Sequence, residues 1–179
     1  MRAQYGRCSF SKIDFIPASG FDELDDGVMN IAMQYSLRGR DAFQVVNDAI
    51  RSVAEDLGVN SLNTNFDHVM LCIARGTTYG GRGTEWLAFA PLNGYTSVFN
   101  SGRCDRLSAM MQEIGHNLGL ANSAGSTLDD PNGDTTGVVS SAIFVPHFRQ
   151  SLVVTRLDLK TILLHIGACC LFVLKMGYR

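Results

Sequence analysis

A chain of 179 residues is long enough to bury a proper core and reads by length as one domain. Its 46% hydrophobic and 18% charged residues are globular values and exclude a disordered chain. With 15 Lys+Arg against 17 Asp+Glu and a formal net charge of −2, no basic patch arises by count, so a nucleic-acid partner has no support.

Met1 to Phe15 contain no apolar h-region, and no secretory signal is read there. Ser9 to Pro17, with Phe10, Ile13, Phe15 and Ile16, reads as a strand that Pro17 and Gly20 end. Asp22 to Arg40 is ambiguous between element types. Its acidic cluster, Asp22, Glu23, Asp25 and Asp26, lacks glycine-centred EF-hand spacing and reads as a solvated turn rather than a cation loop.

Asp41 is a good N-cap, and Gln44 three residues on completes a capping-box pattern. Val46, Ala49, Ile50, Val53 and Leu57 then repeat at helical spacing up to Gly58, which predicts a helix packed on a sheet. Phe66 to Ala74 is a continuous apolar run suited to a buried strand, with His68 at its start read as structural rather than as a ligand. Arg75 to Gly83 holds Gly76, Gly80, Gly81 and Gly83 without a phosphate-loop pattern, and reads as a flexible loop. Trp86 to Ala90 is expected as an edge strand, Asn93-Gly94 as a turn, and Thr96 to Asn100 as a second extended piece.

Asp105 is the expected N-cap of the next helix, anchored by Leu107, Met110, Met111, Ile114 and Leu118. The stretch Ser108 to Ser123 carries the pattern QExxHxxGxxN. Gln112 and His116 are four apart and share one helical face, with Glu113 beside the first. A zinc protease uses this spacing for two ligands and a glutamate base, and the metzincin form HExxHxxGxxH adds a glycine turn and a third ligand.

The run from Trp86 to Ser123, WLAFAPLNGYTSVFNSGRC followed by SAMMQEIGHNLGLANS, resembles the gametolysin family of metallopeptidases. A fainter likeness covers Gln4 to Pro17, and Gly133 to Ser141 resembles the family's Met-turn, with Val138 and Val139 in place of methionines and Ser141 in place of a tyrosine. The resemblance implies a mixed α/β (α+β) zincin-like domain over residues 1–142, with its motif core at 86–141. That domain has a twisted sheet, a backing helix, an active-site helix, and a C-terminal subdomain that is truncated or replaced.

Residue by residue, the resemblance makes Glu113 the general base, His116 the second metal ligand, Gln112 the first and Asn122 the third. Trp86, Ala88 and Ala90 fall on the strand that lines its substrate cleft. It implies Zn²⁺, with Cu²⁺ as the alternative at a Gln112 site and an empty site as the other outcome, because a carboxamide oxygen is a poor zinc donor beside imidazole. It also implies an extracellular protein whose substrate is a protein or peptide, hydroxyproline-rich wall glycoproteins included. Two further readings are a pseudopeptidase that binds peptide without cleavage, and a fragment without function of its own.

The five cysteines, Cys8, Cys72, Cys104, Cys169 and Cys170, show no zinc-ribbon spacing. They read either as scattered buried thiols or, since the resembled family is largely secreted, with Cys72 and Cys104 paired. Residues 143–179 resemble nothing. Their apolar segment 161–174, between Lys160 and Lys175, is short for a membrane span and reads as a hydrophobic terminal helix. Membrane contact through it is the less favoured alternative.

Overall fold

Alternating and helical apolar periods follow one another along the chain, and the structure turns them into layers. It is a computed structural model that describes residues 2–10, 12–81, 83–100, 103–122 and, as backbone, 168–178. Its elements are α1 (Arg2–Cys8), β1 (Ile13–Pro17), β2 (Val28–Ala32), α2 (Ala42–Asp56), a short 3₁₀ turn (Leu62–Thr64), β3 (His68–Ile73), β4 (Ala88–Phe89), β5 (Thr96–Asn100), α3 (Leu107–Asn117) and β6 (Ala168–Tyr178). The fold is mixed α and β. Ser123 and the segment likened to a Met-turn, residues 133–141, lie outside the described residues.

One sheet runs in the order β1-β6-β3-β5-β4, with β2 also paired to β6. Strands β3 and β5 are parallel, Val69 facing Thr96 and Ile73 facing Asn100. Strand β4 is antiparallel to β5 and ends the sheet among the described strands. All six residues of β3 are buried, so both faces of this strand are covered. Val69, Leu71 and Ile73 pack with Val45, Ala49 and Val53 of α2. Met70 packs the other way, with Phe15, Phe99, Met111 and Ile114 on the side of α3. The period of two along β3 thus divides the core in two, with α2 on one face and α3 on the other.

Helix α2 forms as its sequence period predicts, but its cap differs. Asp41 Oδ1 accepts from the Phe43 N–H at 2.9 Å, and Oδ2 accepts from the Gly80 N–H at 3.0 Å. The capping box with Gln44 is therefore corrected: the second carboxylate oxygen ties the glycine loop to the helix start instead. At the other end Gly58 donates to Glu55 O and Val59 to Ala54 O, the paired bonds of a Schellman stop. Gly58 takes φ +63, a backbone state that glycine enters without steric cost.

Three further expectations are corrected. The N-terminal strand starts at Ile13, not Ser9, because α1 precedes it and Phe10 sits in a turn at φ +55, 89% exposed. The Ile13 N–H donates to Ser9 Oγ at 2.9 Å and closes that turn. Asp105 is not the cap of α3. The N-cap is one residue later, Arg106, which makes no side-chain cap bond. The apolar segment 161–174 does not end in a helix: from Ala168 the chain is strand β6, 11 residues long. It is antiparallel to β3 along one edge, and to β2 and then β1 along the other. Its run ACCLFVL suits a strand with neighbours on both edges, where every backbone donor can find an acceptor. Residues 168–178 thereby belong to the same sheet as the strands of residues 13–100. No described helix is long and apolar enough to cross a membrane.

Candidate functional site at helix α3

Helix α3 is held at its middle and at its C-terminal end. Ala109, Met111 and Ile114 are buried against the sheet, and the Tyr5 hydroxyl of α1 donates to Met111 O at 2.6 Å. The helix ends in a second Schellman stop. Gly119 donates to His116 O and Leu120 to Gly115 O, both at 2.9 Å. Asn93, in the turn after β4, adds its own N–H to His116 O at 3.0 Å.

Gly119 has φ +87, and a Cβ there would lie 2.6 Å from Asn93 Oδ1. The glycine of the motif is thus required twice, by its backbone state and by the close approach of the β4–β5 turn. Gly119→Ala is expected to lower the unfolding free energy by about 2 kcal/mol, since left-handed backbone alone costs an L-residue roughly 1–2 kcal/mol. Urea titration measures it. An unchanged midpoint would mean that the turn does not dock as described.

Asn117, which the sequence reading passed over, performs the docking from the helix side. It is buried, and its Nδ2 donates to Thr96 O at 3.0 Å and to Pro91 O at 3.2 Å. It lies four residues after Glu113 and so on the same helical face, which was the available signal. These bonds lock the motif helix to the edge of the sheet.

The three motif side chains on α3 differ in environment. Glu113 is only 5% exposed and has no hydrogen-bond partner among the described residues. Burial alone pushes its carboxyl from the usual 4.5 up to about 7. Gln112 is also buried, whereas His116 sits half-buried at the rim. The His116 Nδ1 lies 2.8 Å from Leu120 O. A carbonyl only accepts, so Nδ1 is the donor to it, and Nε2 is the ring nitrogen left without a hydrogen-bond partner among the described residues. Asn122 is exposed beyond the glycine turn and makes no hydrogen bond to Gln112 or His116.

The edge-strand residues divide between the two faces. Ala88 packs with the α3 core, whereas Trp86 and Phe89 pack with the α2 core. Trp86 stacks at 5.9 Å on Tyr79, and its Nε1 donates to Thr77 O at 3.1 Å. Ala90, half-buried, follows β4 directly. Ala88 therefore shares the side of Glu113, and Trp86 does not. Compared with protein-family models, with curated proteins and with solved structures, the chain has no match.

The donors at the motif are unequal in strength. His116 supplies one imidazole with a free Nε2, while Gln112 and Asn122 supply neutral, weakly basic carboxamides. Among the described residues no three of His, Cys, Asp and Glu come together to hold a metal ion. One imidazole beside two carboxamides fits a zinc or copper site of the expected type poorly. His68, the other histidine near α3, is buried with both ring nitrogens unpaired and contacts Phe15 edge-on. Burial lowers its pKa, against smaller upward pulls from Asn117 and Asp67.

Proposed function

We propose that this chain is a peptide-binding domain on a gametolysin-type metallopeptidase architecture, with its metal-dependent chemistry lost. The observation that carries this reading is the donor set, one imidazole and two carboxamides at the positions the motif reserves for ligands. The frame that would present a peptide is kept. Strand β4 ends the sheet among the described strands, and the turn that follows it is docked to α3 through Asn93, Asn117 and Gly119. An extended peptide can pair with such an edge through its main chain. The partner is a protein or peptide, with a wall glycoprotein as the candidate the resemblance brings. The Cys72–Cys104 disulfide fits an extracellular, oxidising setting.

A second reading, hydrolysis with Glu113 as general base, is favoured by one observation. A carboxyl raised to about 7 beside a histidine with a free Nε2 is suited to take up a proton at neutral pH.

Metal content after dialysis against Zn²⁺ and then Cu²⁺ separates the two. The native chain is expected to retain no more metal than His116→Ala. The Gln112→His/Asn122→His double variant, which rebuilds three imidazoles, is expected to bind at least about tenfold tighter. Stoichiometric metal in the native chain, lost in His116→Ala, would overturn the first reading in favour of the second.

A further inference from the structure

A cavity of about 310 Å³ lies away from Glu113, at the start of the edge strand, lined by Arg75, Gly76, Thr84, Glu85, Trp86, Asn100 and Arg103. Its position follows from the topology. Strands β3 and β5 are parallel and end at Ile73 and Asn100, so Arg75 and Arg103 both stand just beyond their carboxyl ends. The crevice outside the carboxyl ends of parallel strands is where open α/β sheets take ligands.

The walls are built rather than incidental. Asn100 is 8% exposed, and its Nδ2 donates to Thr84 O at 2.9 Å and to Trp86 O at 2.8 Å. Two carbonyl acceptors determine which end of the carboxamide is the amine, so the remaining Oδ1 is an acceptor, and it is buried without a donor. Trp86 is fixed by its bond to Thr77 O and contributes a flat apolar wall. Arg75 and Arg103 form no ion pair among the described residues, although Glu85 lines the same cavity.

Two guanidinium groups and one carboxylate leave a formal charge of +1 in the lining. That balance suits a single negative charge better than a phosphate dianion. The planar fork of arginine also matches the two oxygens of a carboxylate. Trp86 leads into β4 two residues later, so a peptide lying antiparallel along β4 brings its C-terminal side to this cavity.

We propose that the Arg75/Arg103 cavity binds a carboxylate carried by an extended peptide that lies along β4. This rests on the peptide-binding reading above. The carboxylate is either the peptide's own C-terminus or a Glu or Asp side chain near it.

Trp86 is the only tryptophan of the chain, so its emission reports occupancy directly. The probes are three acetylated alanine–valine peptides: one ending in glutamate amide, one in glutamine with a free C-terminus, and one in glutamine amide. At least one of the first two is expected to bind tenfold or more tighter than the third, and whichever it is identifies the source of the carboxylate. Arg75→Gln/Arg103→Gln should abolish that preference, and Glu85→Gln should strengthen it. Equal affinity for all three peptides overturns the proposal.

If no peptide binds, the peptide reading fails by itself. The cavity is then decided by N-acetylglutamate amide against N-acetylglutamine amide. A Trp86 response to the first alone retains the carboxylate site, and no response to either overturns it.

Discussion

At pH 8 the Glu113→Gln protein is expected to be more stable than the native chain by about 3 kcal/mol, and at pH 4 the two should match. The reason lies in the buried carboxyl. Below its ordinary pKa of 4.5, Glu113 holds a proton in the folded and unfolded chains alike. Between 4.5 and about 7 the folded chain keeps the proton that the unfolded chain has released. The stabilising contribution is complete at low pH and is lost as pH rises through 7. Each pKa unit is worth about 1.36 kcal/mol, which gives the size of the effect. A glutamine stays neutral throughout, so its stability curve lacks this fall.

His68 gives the acid side of the same curve, with the opposite sign. Its folded pKa is depressed by burial, so its contribution is present above 6.5 and declines as pH falls, equally in both proteins. Urea titrations from pH 4 to 9 should therefore diverge only above about pH 5. Curves that stay parallel across that range would show that Glu113 is not buried as described. Divergence would show that the fold gains nothing from the ionised carboxylate. What Glu113 offers is then a group poised near neutrality beside His116, the property on which the hydrolytic reading depends.

The elements that were legible in the sequence are those whose own residues carry the pattern. Helix α2 announces itself through Asp41, the apolar stripe and Gly58, and β3 through an unbroken apolar run. Gly119 could be expected to break a helix, since only a glycine enters its backbone state cheaply. The strand expected at Trp86–Ala90 also forms, though shorter, at Ala88–Phe89.

What was not legible depends on partners distant in the chain. Helix α1 is seven residues long, and its Tyr5 is buried against Met111, 106 positions away. Strand β6 carries a hydropathy that suits helix or strand, and only β1, β2 and β3 decide between them. Asn117 looked like a polar helix residue of no consequence until Pro91 O and Thr96 O appeared as its acceptors. The acidic residues Asp25 and Asp26 read as a turn, and Asp25 does bridge to Val28 there. The following strand β2 falls in the stretch that reads as ambiguous, because its residues, Val28–Ala32, are too few to establish a period.

Cys104→Ser is expected to lower the unfolding free energy by about 3–4 kcal/mol, through loss of the bond between Cys72 and Cys104. The two cysteines are 32 positions apart, and the closed loop contains β4 and β5, so the bond removes substantial freedom from the unfolded chain. It also acts in the folded state. Cys104 lies two residues before Arg106, the N-cap of α3, which has no side-chain cap of its own. Cys72 is buried on β3, so the bond anchors to the sheet the one end of α3 that the Schellman stop and Asn93 do not hold. Loss of the bond should free the start of α3 first, and peptide affinity should fall with it while the Gly119 end stays docked. Urea titration with and without reductant checks this: reductant should bring the native chain to the Cys104→Ser midpoint and leave the variant unmoved. A native chain indifferent to reductant would mean that packing by Ala109, Met111 and Ile114 suffices to place α3. The disulfide would then be dispensable for the position of α3.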